Sequence, residues 1–341
     1  MSKVCLGCEC NYFEFIQKFY RDNEASIAYL RDHGVLPLEV NCPRCKKPCH
    51  YRAERHTWYC GAYTKIPKTK RRKQCCYSAS DFNGSFLSGA RIEPYKVMCF
   101  VNHFLSRHWD YQTVSQCLGI STGTRSTWQK YCSEVTEHWL DNQEPIGGPD
   151  IVVDIDETLF GKMKYEKGKS LSQIWVFGGI ERDSKNYFIV PLEEPLSQNL
   201  MSLIQKYIRP GSVIVSNRWN AYSSINDYDY VHQVINHSGD STDEENAEAH
   251  TQSIELLWHD IKEFTLAPGN RPQFYKQYLA RLLFVQQHTF SNVNHYFFRE
   301  VARMYPPDFE TDETEETPSN SCSDVMKEPD DHENKESEVS D

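Results

Sequence analysis

The sequence predicts an α/β fold, a mixed sheet with helices packed on it, preceded by a small cysteine-rich module and a helix-turn-helix. Three observations carry this expectation. Beyond residue 150, strand-like and helical stretches alternate in the order β-β-β-α-β-β-α. Between residues 41 and 90, cysteines cluster around a basic loop. Between these regions, YQTVSQCLGISTGTRSTWQKYCSEV sets an apolar-periodic helix before Gly119 and a Ser/Thr-capped helix after it.

Residues 1–40 read as an N-terminal helical segment. Within it, NYFEFIQKFYRDNEASIAYLRDHG (residues 11–34) places apolar side chains at helical spacing and ends on Gly34, a plausible helix-closing residue.

Residues 41–90 carry NCPRCKKPC, then WYC, then QCCYSAS. The C-x2-C pair and the later cysteines fit four thiolates gathered tetrahedrally, the usual structural zinc site. The preferred set is Cys42, Cys45, Cys60 and Cys75, with Cys49 and Cys76 as competitors, in a zinc-ribbon-like module. The plainer reading is a group of buried thiols, since few disulfides form in a reducing compartment. Cys5, Cys8 and Cys10 read as free thiols near a frayed terminus rather than as a second site.

Between Cys60 and Cys75, TKIPKTKRRKQ holds six Lys/Arg and no acid. Lys68, Lys70, Arg71, Arg72 and Lys73 are placed to lie along a phosphate backbone, where each contact releases counterions. The same run matches a nuclear-import signal, so the expected location is the nucleus. A solvated loop is the bland alternative.

Residues 91–141 read as the helix-turn-helix, with Thr124, Arg125 and Gln129 on the exposed side of its second helix and Arg125 as the DNA contact. A plain helical hairpin has the same pattern. DNQEPIGGPD (residues 141–150) concentrates Pro and Gly and reads as a linker.

Residues 150–304 form the predicted α/β core. IVVDIDETLF, SQIWVFGGIE and KNYFIVPLE read as strands, LSQNLMSLIQKYI as an amphipathic helix, and VIVSN and YVHQVIN as strands. HTQSIELLWHDIKEF is a helix with Ile254, Leu257, Trp258, Ile261 and Phe264 on one face. Asp154 and Asp156 alternate along the first strand and so share a side. Asn217 ends a later strand and Glu255 lies early on the last helix. Acidic groups from strand ends and a helix suit a pair of Mg²⁺ ions acting on a phosphodiester. Ordinary surface carboxylates are the alternative by spacing alone.

Residues 305–341 form an acidic tail expected to be disordered. Of the net charge of -11 over 341 residues, the fourteen Asp/Glu and two Lys from Asp308 onward give -12. The remainder is therefore near neutral with local basic patches, which leaves nucleic acid open as a partner. No run of 18 apolar residues occurs, so no membrane partner is expected, and MSKVCLGCEC lacks the apolar stretch of a signal peptide.

The strings DIDETLFGK, SNRWNAY, VINHS and AHTQSIELLWHDIK, in this order, resemble the transposase core of Merlin-type DNA transposons and their ISXO-like insertion-sequence relatives. The cysteine knuckle, S-x3-GSF (Ser80 to Phe86) and the helix-turn-helix precede it in the order of that family, so the likeness spans about residues 15–300. It implies an RNase H-like core whose DDE triad holds two metal ions for DNA cleavage and strand transfer. By position the triad falls on Asp156, Asn217 and Glu255, with Asp154 beside it, and the S-x3-GSF alignment selects Cys75 over Cys76.

Asn217 stands where the resemblance requires an aspartate. An amide keeps the shape but is neutral and cannot bridge two Mg²⁺ ions. Asp227 and Asp229 lie across the following turn and are expected to point elsewhere. The sequence therefore predicts a domesticated, transposase-derived protein that binds double-stranded DNA through an intact zinc module and helix-turn-helix without cutting it. Mg²⁺ is expected only with a functional triad. The alternative is an active or recently inactivated Mg-dependent transposase. Analogy adds a homodimer, and the acidic tail is a segment for binding other proteins or for solubility.

Overall fold

A computed structural model of the chain describes residues 8–65, 72–106, 111–160, 174–192, 197–217, 222, 225–234, 254–263, 271–288 and 291–307. Its contacts divide it into two compact units, Ile16–Cys99 with Phe298–Asp341, and Met1–Phe15 with Phe100–Phe297.

The stretch expected as one helical segment is two helices, α1 (Tyr12–Phe19), within which the division at Phe15 falls, and α2 (Asn23–Asp32) of the first unit. Arg21 takes a left-handed conformation at φ 62°, and the Asp22 carboxylate accepts from Ala25 N–H at 2.8 Å. A short acidic side chain that captures a backbone N–H begins a new helix, and this one interrupts the apolar periodicity. Gly34 follows α2 at φ 78°.

The cysteine-rich segment forms β1 (His50–Arg52), β2 (Thr57–Tyr59), β3 (Tyr63–Lys65), β4 (Arg72–Gln74) and β5 (Ser78–Ser80). Strands β1, β2 and β5 make a three-stranded antiparallel sheet in the order β1-β2-β5, and β3 pairs with β4 in a separate hairpin. Val40, Trp58 and Tyr77 pack with Cys42, Cys49 and Cys60 into a small core. Buried Asp81 holds this core to α2: it accepts from Arg31 at 2.7 Å and from the Trp58 indole N–H at 2.8 Å. A buried carboxylate is tolerated there because both oxygens are paired.

Beyond Met1–Phe15, the other unit contains the end of α3 (Pro94–Phe104), then α4 (Tyr111–Leu118) and α5 (Thr122–Asp141). Gly119 makes the turn at φ 60°, and the Ser121 side chain caps α5 by accepting from Thr124 N–H at 3.1 Å. The expected linker contains a short strand, β6 (Ile146–Gly147), which pairs in parallel with β10 (Ile208–Arg209). Pro and Gly marked the turns there, while buried Ile146 supplies the contact that makes a strand of it.

The central sheet has five strands: β7 (Val152–Phe160), β8 (Ile174–Glu181) and β9 (Tyr187–Leu192), then β11 (Val213–Ser216) and β12 (Val231–Val234). Their order is β12-β11-β7-β8-β9, with β7, β8 and β9 antiparallel and both β11 and β12 running parallel to β7. Alternation along β7 sends Val153 and Ile155 to one face, where they meet α6 (Ser197–Tyr207) through Leu200, Ile204 and Tyr207. Phe160 lies on the other face with Val176 and Ile189, against α5, α7 (residues 254–263) and α8 (Tyr275–Gln287). The core is thus a mixed α/β sheet covered on both sides.

Two helices have no counterpart in the sequence reading, α8 and α9 (Val293–Met304). The far end of α5 also joins the sheet's core through Leu140, and Trp139 meets Phe284 edge-on at 5.2 Å. Among the described residues, no helix is long and apolar enough to cross a membrane.

Candidate active site and cysteine cluster

The register of the central sheet builds the first site. Val215 of β11 pairs with Asp154 of β7, so the two parallel strands end side by side, with Asn217 beside Asp156. Helix α7 enters at the same place. Its buried Ile254, Trp258 and Ile261 hold it against the sheet, which leaves Glu255 exposed in the first turn. Asp156, Asn217 and Glu255 together line one shallow recess. The C-terminal edge of parallel strands, next to a neighbour running the other way, is where such sheets carry their ligands.

The polar contacts are specific. Asn217 Nδ2 donates to Asp156 Oδ1 at 3.2 Å, and Trp258 Nε1 donates to Asp156 Oδ2 at 3.0 Å. An ionised carboxylate only accepts, so the amide must present its NH₂ edge and not its oxygen. Burial, then the neighbouring Glu157 charge, pushes the Asp156 carboxyl above the ordinary range, against the lowering pull of three N–H donors, the Trp258 indole, the Glu157 backbone and the Asn217 amide. The indole reaches Asp156 because Gly178 lies opposite it on β8. A Cβ on Gly178 would lie 2.7 Å from the Trp258 ring.

Asp154, expected to assist at this site, has its carboxylate engaged by Arg182, whose Nε and Nη2 donate to Oδ1 at 3.0 and 2.9 Å. Glu157 points to the opposite face and accepts from Tyr222 O–H at 2.6 Å. Trp258 and Arg182 were not legible as site residues. The tryptophan counted only toward the apolar face of its helix, though its N–H is a polar handle that seeks a partner when buried. Phe264 lies outside the described residues.

The second constellation is the cysteine cluster. The sulfurs of Cys42, Cys45, Cys60 and Cys75 all lie within 4.8 Å of one another, with Cys42–Cys75 at 3.5 Å and Cys45–Cys60 at 3.4 Å. A tetrahedron of Zn–S bonds near 2.3 Å has edges of about 3.8 Å, so the foursome fits such an ion. Backbone N–H groups two residues on meet three of the sulfurs: Lys47 at Cys45, Ala62 at Cys60 and Tyr77 at Cys75. Such amides favour thiolate over thiol. They bring Cys45 down to about 7, the Lys47 amide acting most strongly, whereas burial raises Cys60 to about 12. A cation would pull the remaining protons off. Cys49 is buried beside Cys42, where burial raises it to about 11, and it stands outside the foursome, as does Cys76.

The other predicted residues divide. Arg72 and Lys73 lie exposed on β4, whereas Lys68, Lys70, Arg71 and Cys5 fall outside the described residues. Thr124, Arg125 and Gln129, expected on the exposed side of α5, are instead half-buried, and Ser126, Thr127 and Lys130 are the exposed residues of that stretch.

No curated protein matches the chain. Among solved structures, a chain of the cryoEM structure of the simian T-cell lymphotropic virus intasome in complex with PP2A regulatory subunit B56 gamma is similar over 51% of this chain and 63% of that one, thus under two thirds of its length. Identity is 14% and the TM-score 0.28. Residues 145–286 match the family described as ISXO2-like transposase domain. The matched span runs from β6 to the end of α8 and contains Asp156, Asn217 and Glu255. Over residues 145–286, somewhat under half of its length, the chain is therefore similar to the ISXO2-like transposase domain family.

Proposed function

We propose that the chain is a transposase-derived DNA-binding protein whose triad, Asp156, Asn217 and Glu255, no longer cuts or joins DNA. The carrying observation is the Asn217 Nδ2 donation to Asp156 Oδ1 at 3.2 Å. A second aspartate would repel that oxygen unless a cation lay between them. The amide instead satisfies it, and Trp258 satisfies the other. Both Asp156 oxygens thus accept hydrogen bonds where two-metal chemistry needs them turned to ions. Loss of one charged ligand costs at least the ~10²–10³ in rate that follows removal of a single electrostatic stabiliser.

The family match supports the ancestry, and the strand order β12-β11-β7-β8-β9 supports reading the core as RNase H-like. The capped α4-turn-α5 pair and the basic hairpin support duplex DNA as partner, with Arg72, Lys73 and Arg125 among the contacts. Zinc is the structural ion for the four thiols. A Merlin-type origin, domestication, nuclear residence, a homodimer and a protein-binding acidic tail complete the reading.

The test compares the wild type with Asn217→Asp in Mg²⁺ or Mn²⁺, scoring cleavage and strand transfer on DNA. The wild type is expected at background, with activity appearing only in the variant. Without divalent metal, Asn217→Asp should also melt below the wild type and recover when Mn²⁺ is added, because two carboxylates then face each other. Robust wild-type cleavage that depends on Glu255 would overturn the proposal.

A further inference from the structure

We propose that the outer face of the β1-β2-β5 sheet is a phosphate-contacting surface for duplex DNA, with Arg52 and Arg55 as its cationic contacts. This rests on the DNA-binding reading above and adds a surface distinct from the basic hairpin and the helix-turn-helix. Alternation divides the sheet. Tyr51, Trp58 and Ala79 face inward, and His50, Arg52, Thr57, Tyr59, Ser78 and Ser80 face outward. The inner face is covered, with Trp58 buried in the small core and the Arg31 guanidinium 4.2 Å over the Tyr51 ring. The outer face is exposed or half-exposed along all three strands and carries no carboxylate.

The cations there are already ordered. The Arg52 guanidinium lies 3.8 Å over the Tyr59 ring, whose other cross-strand neighbour, His50, has its ring centroid 5.4 Å away. Stacking holds the planar fork while the side chain stays exposed to solvent, so a phosphate can take it with little further loss of side-chain freedom. Arg55 follows on the short 3-10 turn and shares a recess with Arg52 in which Glu54 is the one acid. The hydroxyls of Thr57, Ser78 and Ser80 supply the neutral donors that phosphate oxygens also accept.

Charge selects the partner. Residues 41–90 hold eleven Lys/Arg and two acids in a chain of net charge -11. One of the two acids, Asp81, is buried against Arg31. A polyanion suits this module. An anionic membrane surface would call for apolar anchors, and the six outward side chains include no aliphatic one. Through Cys60, β2 leads directly into the basic hairpin, which makes the face continuous along the chain with other cations.

The experiment uses the full-length, zinc-loaded protein and a short fluorescent duplex, with affinity measured across a salt series. Arg52→Ala/Arg55→Ala should weaken binding roughly tenfold and lower the log–log salt slope by about 1.8, at about 0.9 per phosphate contact. Zinc content and melting temperature should be unchanged. Arg52→Lys/Arg55→Lys should restore the slope but, without the stacked fork, only part of the affinity. Wild-type binding with an unchanged double-alanine variant overturns this inference and leaves the DNA-binding reading standing. A wild type that binds no duplex overturns both. Should the alanine variant lose zinc, failure of the lysine variant to restore binding overturns the proposal. Equal binding to phosphatidylserine vesicles in competition with DNA overturns it as well.

Discussion

At the scale of single residues, the candidate site turns on two contacts with Asp156 and on one absent side chain. The Trp258 indole lies against β8 because Gly178 has no Cβ, and its N–H reaches Asp156 at 3.0 Å. Asn217 holds the other oxygen at 3.2 Å. With the Glu157 backbone N–H, these two donors hold a carboxylate that burial disfavours in its charged form. Gly178→Ala should therefore act on the site through packing. The new methyl would meet two ring carbons at 2.7 and 3.2 Å and the Phe188 carbonyl oxygen at 3.1 Å, so the indole must retreat. Overpacking of this kind costs about 1–3 kcal/mol. Urea unfolding should show that loss, together with an altered near-UV signal from the displaced tryptophan. Unchanged stability would mean that the ring is free to move aside and that the Asp156 contact is incidental.

At the scale of elements, the cysteine cluster shows what holds the small unit together. Its sheet is short and its core comprises few side chains, so four thiols that close on one ion supply cohesion that burial alone does not. Stripping metal with a strong chelator should lower the melting temperature of the β1-β2-β5 unit, release one zinc per chain and expose Trp58 to quenchers. Retention of the native signal after complete metal loss would make the thiols an ordinary buried group. The first knuckle was legible as C-x2-C. The second, Cys60 with Cys75, was named among the cysteines of the segment but has no C-x2-C spacing, because the two are brought together by the β3–β4 hairpin, closed where Cys75 N–H meets Ala62 C=O at 2.7 Å. No linear spacing encodes that. Helix α7 was legible from its apolar stripe, and its buried residues follow the stripe through Ile254, Trp258 and Ile261. By contrast α8 buries Leu279, Ala280, Leu282, Leu283 and Phe284 around much of its girth, so it presents no single stripe to read. The polar role of Trp258 was hidden for a similar reason: periodicity registers a tryptophan as apolar bulk and says nothing of where its N–H ends.

At the scale of the whole molecule, the order of strands along the chain was readable and their order in the sheet was not. The pairing of β11 with β7, which delivers Asn217 to Asp156, joins residues about sixty positions apart and has no local signature. Charge, however, is a property of the entire chain and can be read from sequence alone. The segment from Asp308 to Asp341 carries fourteen acids and two lysines, while residues 41–90 carry eleven Lys/Arg and two acids. A tethered polyanion raises the local concentration of negative charge around every cationic surface of its own chain and repels incoming DNA. Removing residues 308–341 should therefore tighten duplex binding several-fold at low ionic strength. The gain should shrink as salt rises and vanish near 1 M, where the screening length falls to about 3 Å. Melting temperature should stay constant, since the effect is electrostatic and long-ranged. Faster association with unchanged dissociation would identify repulsion during encounter as the cause. Slower dissociation as well would mean that the tail competes for the bound surface itself. Equal affinities of the full-length and truncated chains at every salt concentration would show that the acidic segment leaves DNA binding untouched.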